Sequence, residues 1–258
     1  MEPPGTHTSG RIVSAKQIAK TRILVADEHP LLRHGMVAFI NAQPDMIGCG
    51  EADCISKIRA KLAETKPHLL VIGLRMGTGD CLEFVKALKA QDPGLLVLVY
   101  SAFEETIFAE RALRAGANGY LMKKAFKEEL LTAIRDVLRG QLYVSRDLAM
   151  RAFQKSLEIQ PQPRAPGKMP VIDNLSDREM HVFQLIGSGL GTNKIAHSMN
   201  LSVKTIETHR ENIKRKLGLN SGRQLVERAL RFVEENFLPP KGEPAAGRKK
   251  KVVPFRAA

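Results

Sequence analysis

The chain has 258 residues, of which 43% are hydrophobic and 26% charged, as in an average globular protein, so wholesale disorder is excluded. Its length favours two small domains over one large one. No apolar run approaches the roughly 18 residues that cross a membrane, and the N-terminus has no secretory signal pattern. We therefore expect a cytoplasmic protein without membrane contact. Three cysteines without CxxC spacing, Cys49, Cys54 and Cys81, indicate neither disulfides nor a zinc site.

The formal net charge is +13, and it is unevenly distributed. Residues 21–139 carry only +1, whereas residues 140–172 carry +3, residues 173–238 carry +2 and residues 239–258 carry +5. A basic excess of this size makes a polyanion a natural partner. The distribution assigns that partner to the second half of the chain.

From Arg22 onward, short apolar runs alternate with helical patterns, which indicates a parallel sheet covered by helices on both faces. Residues 1–20 before this region are expected to be flexible. The predicted strands are residues 23–26, 47–51, 69–74, 95–100 and 119–122. Together they give five β/α units in the first domain, residues 21–139.

Beyond Arg139 the pattern loosens, and the proline-rich segment 160–170 identifies residues 140–172 as a partly helical linker. Four helices are then predicted, at residues 177–188, 193–199, 203–217 and 222–236. Ser176 and Glu179 form a capping-box pattern before the first, and Gly218 is placed to end the third. These helices make a second domain, residues 173–238. The basic tail, residues 239–258, is expected to be disordered.

Two short helices, a tight turn at residues 199–202 and a basic helix form a helix-turn-helix pattern, in which the second helix of the pair enters the major groove of DNA. In that helix Val203, Ile206, Ile213 and Leu217 recur at helical spacing, which leaves the opposite side free for DNA. The alternative is a solvated amphipathic helix in an ordinary bundle.

The segment LSDREMHVFQLIGSGLGTNKIAHSMNLSVKTIETHRENIKRKLGL closely resembles the DNA-binding domain of LuxR/FixJ/NarL-type transcription regulators. The resemblance implies a four-helix module whose third helix contacts the bases of double-stranded DNA and whose fourth can pair two copies. By this resemblance the DNA-binding residues are Asn193, Lys194, Lys204, Thr205, Glu207, Thr208, Arg210, Glu211 and Lys214.

These residues divide by chemistry. Lys204, Arg210 and Lys214 can neutralise phosphates, which sets affinity but carries no sequence information. The resemblance implies that three other residues in the middle of the helix face base edges: Glu207, Thr208 and Glu211. A threonine can contact a thymine methyl, and a glutamate can accept a hydrogen bond from cytosine N4. Two glutamates where some relatives carry lysines leave the operator sequence open.

Two further features of this domain have alternative interpretations. His209 has no second ligand at a spacing of four residues, which favours a structural or phosphate-contacting role over metal binding. The last helix carries an apolar stripe that is either core or a dimer seam. The resemblance favours a dimer seam, and a two-fold homodimer would require an operator that is an inverted repeat. The stripe comprises Leu225, Val226, Ala229, Leu230 and Val233.

Residues 21–139 resemble the receiver domain of two-component response regulators. The resemblance is carried by VADEHPLLRHGM, RMGTGDCLEF, SAF and GYLMK at successive strand ends. The implied fold is α/β plus all-α, a CheY-like (βα)5 doubly wound receiver followed by the four-helix module. In such receivers a carboxylate pair and an aspartate gather magnesium, and that aspartate accepts a phosphoryl group.

Residue by residue, Asp27 and Glu28 match the acidic pair, Ser101 the hydroxyl and Lys123 the lysine. The acceptor position is Gly73, which has no side chain to phosphorylate. Aspartyl phosphotransfer at that position is chemically impossible.

Other functions of these positions remain open. Asp80 lies seven residues further on and would have to move with its loop to substitute as acceptor. Without the central ligand we expect no magnesium and no other cofactor, and Asp27 and Glu28 have a structural alternative as ion-pair partners of Lys123. Tyr120 and Ser101 occupy the positions that change rotamer together in receivers. Here they either stay in one state or respond to a protein or ligand.

We therefore expect a DNA-binding transcription regulator controlled independently of aspartyl phosphorylation, acting as a homodimer. It is not expected to be an enzyme, since P-loop, GxSxG and HExxH motifs are absent from the sequence. A sensor kinase or another regulatory protein is a further partner to consider. Two alternatives stay open: an adaptor that binds a partner regulator or kinase, and a phosphorelay output that uses a substitute site. The GRKKK run of the tail either adds phosphate contacts or is simply a solvated end.

Overall fold

A computed structural model describes residues 20–77, 79–157 and 172–237. The expectations for the N-terminal segment before Lys20, for the proline-rich part of the linker and for the basic tail lie outside the described residues.

The first domain is built on a five-stranded parallel sheet. Its strands are β1 (Thr21–Ala26), β2 (Met46–Ala52), β3 (Leu69–Ile72), β6 (Leu96–Ser101) and β7 (Gly119–Met122). They lie in the order β2-β1-β3-β6-β7. Every residue of β3 and β7 is buried, because helices cover both faces of the sheet. The predicted doubly wound α/β fold is confirmed.

One strand is shorter than predicted. β3 ends at Ile72 rather than at residue 74, and Gly73 donates a last backbone hydrogen bond to the Ala26 carbonyl at 2.9 Å. The chain then forms a small antiparallel pair, β4 (Arg75–Met76) with β5 (Gly79–Asp80). Apolarity alone extended the prediction, because Leu74 is buried without being in the sheet.

The helices of this domain alternate with the strands and bury one side each. They are α1 (Pro30–Asn41), α2 (Ile55–Thr65), α3 (Cys81–Gln91), α4 (Glu105–Arg114) and α5 (Lys127–Leu138). Helices α1 and α5 pack on the apolar side chains of one sheet face, and α2, α3 and α4 pack on the other.

The start of the linker is attached to the sheet edge. Tyr143 forms a parallel bridge with Gly119, and its carbonyl accepts a hydrogen bond from the Tyr120 backbone N–H at 2.8 Å. A helix follows, α6 (Arg146–Leu157). The first part of the linker is thus ordered along β7.

The second domain is all-α, as predicted. A 3-10 turn at Ile172–Asn174 leads into α7 (Asp177–Gly187), α8 (Thr192–Ser198), α9 (Val203–Leu217) and α10 (Gly222–Phe237). Each helix begins and ends within one residue of its predicted bounds. The capping box of Ser176 and Glu179 is present, and Gly218 ends α9 in the left-handed conformation, with φ of 64°.

Candidate DNA-binding interface and receiver-like site

Helix α9 is positioned by its apolar side and by its ends. Ile206, Ile213 and Leu217 are at most 5% exposed and pack in the core of the second domain. At the N-terminus Ser202 Oγ accepts a hydrogen bond from the Thr205 backbone N–H at 3.0 Å. At the C-terminus Lys216 Nζ lies 2.6 Å from Glu179 Oε2. The helix is therefore held from both ends against α7 and α8.

The opposite side of α9 is open to solvent. Lys204, Glu207, Thr208 and Glu211 are all exposed in the complete two-domain chain, and their spacing puts them on one helix face. Arg215 extends this stripe by one turn, and its guanidinium donates to Asn212 Oδ1 at 3.0 Å. Sequence reasoning left Arg215 out of the DNA-binding set, although its position four residues after Glu211 is the signal that could have included it.

The remaining predicted DNA-binding residues lie around this stripe. Asn193 and Lys194 are exposed at the start of α8, while Thr205, Arg210 and Lys214 are half-buried. Thr205 Oγ1 shares a hydrogen bond with Ser202 Oγ at 2.8 Å. Lys214 Nζ lies 2.8 Å from Glu211 Oε1. The ring of His209 has a buried Nδ1 with no hydrogen-bond partner among the described residues.

The receiver-like site centres on Asp27, whose side chain is 1% exposed. Its Oδ1 accepts a hydrogen bond from the His29 backbone N–H at 2.9 Å, and its Oδ2 lies 2.5 Å from Lys123 Nζ. Glu28 is engaged separately. Its Oε1 lies 2.6 Å from Arg75 Nε, and its Oε2 accepts from the Gly77 backbone N–H at 3.2 Å. Both carboxylates are thus paired with cations of this chain.

Gly73 explains how Asp27 reaches Lys123. A Cβ atom added at Gly73 would come 2.7 Å from Asp27 Oδ2, closer than non-bonded atoms approach. The Asp27 carboxylate therefore extends into the space that an acceptor side chain at residue 73 would need.

Ser101 and Tyr120 meet at the backbone of Phe103. Ser101 Oγ accepts a hydrogen bond from the Phe103 N–H at 3.2 Å, and the Tyr120 hydroxyl donates to the Phe103 carbonyl at 2.7 Å. Burial raises the pKa of Tyr120 far above its ordinary value, so the hydroxyl keeps its proton. The side chain of Tyr120 is 1% exposed and is thus buried within the domain.

Asp80 has two partners that its sequence position did not indicate. Its Oδ1 caps α3 by accepting from the Glu83 backbone N–H at 3.1 Å, and its Oδ2 lies 3.3 Å from Arg178 Nη1 in the second domain. The carboxylate is thus committed to a helix cap and to an interdomain ion pair.

Helix α4 makes further interdomain contacts. Arg111 Nη1 lies 2.7 Å from Asp177 Oδ1, and Arg111 Nη2 donates to the Leu175 carbonyl at 2.7 Å. The rings of Phe108 and Phe232 are 6.3 Å apart between centroids, and Phe232 packs in turn on Phe183 at 5.5 Å. The receiver-like domain therefore contacts α7 and α10 while the outer stripe of α9 stays exposed.

Among residues 20–77, 79–157 and 172–237, no helix is long and apolar enough to cross a membrane.

Comparison with known proteins agrees with this geometry. Residues 23–135 match the response regulator receiver domain, and residues 173–229 match the bacterial regulatory proteins of the luxR family. The oxygen regulatory protein NreC of Staphylococcus aureus strain MRSA252 is 35% identical over 213 residues, which cover 81% of this chain and 97% of NreC.

Solved structures show the same fold. RcsB from Salmonella enterica serovar Typhimurium, bound to promoter rprA, superposes with a TM-score of 0.64 at 21% identity, covering 82% of this chain and 98% of RcsB. A LuxR-family two-component response regulator from Aurantimonas sp. SI85-9A1 gives a TM-score of 0.50 at 27% identity, covering 54% of this chain and all of that one. The chain belongs to the LuxR-type (NarL/FixJ) response regulators, a family of DNA-binding transcription regulators and not of enzymes.

Proposed function

We propose that this regulator binds its operator without aspartyl phosphorylation, as a homodimer in the cytoplasm. One observation carries the proposal: residue 73 is glycine, and the Asp27–Lys123 ion pair extends into the space where an acceptor side chain would stand. The exposed outer stripe of α9 supports it, since the domain contact on α7 and α10 leaves those side chains accessible to DNA.

Magnesium is a poor fit to this site. A hard cation needs clustered oxygen ligands that are free to coordinate it. Here Lys123 and His29 engage Asp27, Arg75 and Gly77 engage Glu28, and Gly73 offers no side-chain oxygen. We therefore propose that the receiver-like domain works without a cofactor. Any regulatory partner, a sensor kinase included, would act by binding and not by phosphorylating residue 73.

Helix α10 offers a surface for the homodimer. Leu225 and Ala229 are fully buried against their own domain, whereas Leu230, on another side of the helix, is 41% exposed. Val226 and Val233 also pack against that core, so Leu230 is the member of the predicted stripe that faces outward and can contact a second copy. A two-fold pair through α10 would present two α9 helices to successive major grooves.

Selection of genomic DNA fragments by the purified, unmodified full-length protein, at near-physiological salt, tests the proposal. Enrichment of an inverted repeat without acetyl phosphate is expected, with the same sites and affinity after acetyl phosphate and magnesium are added. Enrichment only after that treatment would show that a substitute acceptor operates. Binding that is unspecific and salt-sensitive throughout would favour the adaptor that acts through a partner regulator.

A further inference from the structure

One side of the receiver-like domain carries an apolar groove that no part of the described chain fills. It lies between α1 and the start of α5, has a volume of about 550 Å³, and is lined by Leu31 and Phe39 of α1 and Leu130 of α5 among others. Leu31 is 87% exposed at the rim, and Phe126, beside the lining residue Ala125, is 80% exposed. Large apolar side chains exposed next to one another mark a surface that another segment covers.

The groove begins close to the point where the described chain begins. The Thr21 backbone N–H donates to the Asp45 carbonyl at 2.9 Å, and the Asp45 carboxylate lies 3.6 Å from Arg135 Nη2 of α5. Two residues before Asp45, the Gln43 side chain donates to the Phe39 carbonyl at 3.3 Å. The residues before Thr21 therefore leave the sheet near both helices, at the Phe39 end of the groove.

The length of the segment before Thr21 fits the groove. Leu31 and Phe39 are eight positions apart on α1, which is about 12 Å along the helix axis at 1.5 Å per residue. Residues 11–19 would span about 14 Å as a helix by the same measure. A helix of those nine residues thus matches the length of the groove.

The segment RIVSAKQIAK, residues 11–20, also has a pattern that suits an apolar groove. In a helix, four of its apolar residues fall on one side: Ile12, Ala15, Ile18 and Ala19. The other side holds four polar residues, with Val13 among them: Ser14, Lys16, Gln17 and Lys20. A segment that is flexible by itself can become ordered when a groove buries its apolar side.

We propose that residues 11–19 pack as a helix in the groove between α1 and α5 of their own chain. The direction of the chain puts Ile18 near Phe39 and Ile12 near Leu31. The helix would cover Leu31, and its lysines would face solvent. Any protein that binds this side of the domain, a second copy included, must then displace the segment first.

Hydrogen exchange of the full-length protein at low micromolar concentration, followed by mass spectrometry, tests the proposal from the side of the segment. In the wild type, the backbone amides of residues 15–19 should exchange at least about tenfold more slowly than in Ile18→Asp, because packing in the groove protects them. Gln17→Asp is the matched control. It adds the same charge on the polar side of the segment and should keep the protection.

A second pair of variants tests the groove. Leu31→Asp places a charge at the rim and should remove the protection of residues 15–19. The domain should stay folded, because Leu31 is exposed and a carboxylate in the first turn of a helix is favourable. Leu142→Asp changes a leucine of the linker that is 62% exposed and does not line the groove, so the protection should remain.

Each other outcome counts against the inference. Exchange of residues 15–19 at the rate of an unstructured chain in the wild type would overturn it and leave the groove to a separate protein. Protection that increases with protein concentration would place the segment in the groove of a second copy. Protection that survives both Ile18→Asp and Leu31→Asp would place the segment elsewhere on the domain. None of these results depends on an operator, so the proposed function is tested separately.

Discussion

At the residue scale, the loss of one side chain at position 73 changes the role of its neighbours. Asp27 is buried, and a buried charge requires a partner. With no acceptor side chain in the way, its Oδ2 contacts Lys123 directly. In other receivers the residues at these two positions serve phosphotransfer. Here Asp27 and Lys123 form an ion pair that contributes to the packing of the domain.

Replacing Lys123 with methionine tests that role. Removing Lys123 leaves the buried Asp27 carboxylate without its lysine partner, and the loss of one partner of a buried pair costs about 3–5 kcal/mol. We expect urea denaturation to show a fall of that order in the free energy of unfolding, largely restored in the double variant Asp27→Asn/Lys123→Met. Lys124→Met is the matched control, since Lys124 is 69% exposed and should cost under about 0.5 kcal/mol. Equal losses at the two lysines would contradict the structural role.

At the element scale, the placement of α9 depends on contacts made by other helices. Glu179 closes the capping box of α7 and also accepts from Lys216 at the end of α9, so one carboxylate connects two helices. Helices α7 and α10 cross closely at Gly187, where an added Cβ would lie 2.3 Å from the Ala229 carbonyl oxygen. The Glu179 contact thus ties the end of α9 to the start of α7, and the close crossing holds α7 against α10.

The Glu179 contact predicts a pH dependence. Burial acts to raise the pKa of Glu179, but hydrogen bonds from Lys216 and Ser176 outweigh it, so the pKa lies below its ordinary value of 4.5. A lowered pKa stabilises the folded state above pH 4.5, and the contribution is lost as the pH falls through the folded-state value. Lys216→Met should therefore be less stable than wild type by about 1–2 kcal/mol at pH 7, with the difference shrinking below pH 4.5. Arg223→Met, at an exposed pair on α10, should show no such trend.

Gly187→Ala tests the helix crossing. The added methyl would meet backbone atoms that cannot move without separating α7 from α10. We therefore expect the free energy of unfolding, measured by thermal or chemical denaturation, to fall by about 1–3 kcal/mol. Gly35→Ala is the contrasting control. Its Cβ would meet nothing within 4 Å in the middle of α1, and alanine there should stabilise by about 0.5–1 kcal/mol. Tolerance of alanine at residue 187 would show that the crossing is looser than described.

At the scale of the whole molecule, the two domains meet through a mixed contact of charges and aromatic rings. The Arg111–Asp177 and Arg178–Asp80 pairs flank the Phe108–Phe232 contact. This arrangement buries the inner side of α10 and leaves the outer stripe of α9 accessible. The receiver-like domain thus holds the second domain without covering the outer side of α9.

Weakening this contact should separate the unfolding of the two domains. In the double variant Arg111→Ala/Arg178→Ala we expect calorimetry to resolve two transitions where the wild type shows one, because the Arg111–Asp177 and Arg178–Asp80 pairs are lost. Arg114→Ala is the control, since Arg114 is exposed on the same helix and pairs with Glu110 within α4. A single transition in the double variant would mean that the aromatic contact suffices.

The positive charge of residues 239–258 should affect the salt dependence of DNA binding. Their excess of +5 offers about five phosphate contacts. Deleting them should flatten the dependence of the binding constant on salt concentration, measured by fluorescence anisotropy, without changing the selected sequence. An unchanged slope would mean that the tail is only a solvated end.

Local patterns were sufficient for much of this molecule. Continuous apolar runs predicted the five strands of the sheet, because strands that helices cover on both faces are buried along their length. Apolar residues at helical spacing predicted the four helices of the second domain, because the buried residues of a helix repeat with its period. The capping box at Ser176 and the end of α9 at Gly218 were predicted for the same reason, since each depends on neighbours in sequence. The end of β3 was wrong by two residues because burial at Leu74 does not require pairing in the sheet.

The sequence by itself determined the domain order, the helix-turn-helix and the absence of an acceptor side chain at Gly73, because residue types and their spacing are sufficient to recognise each of these features. Only the tertiary structure decided the partners of charged side chains that are distant in the chain. Asp80 is joined to Arg178 across 98 residues, and Glu179 to Lys216 across 37. Ion pairs form where the fold brings charges within a few ångströms, and no sequence period encodes that distance.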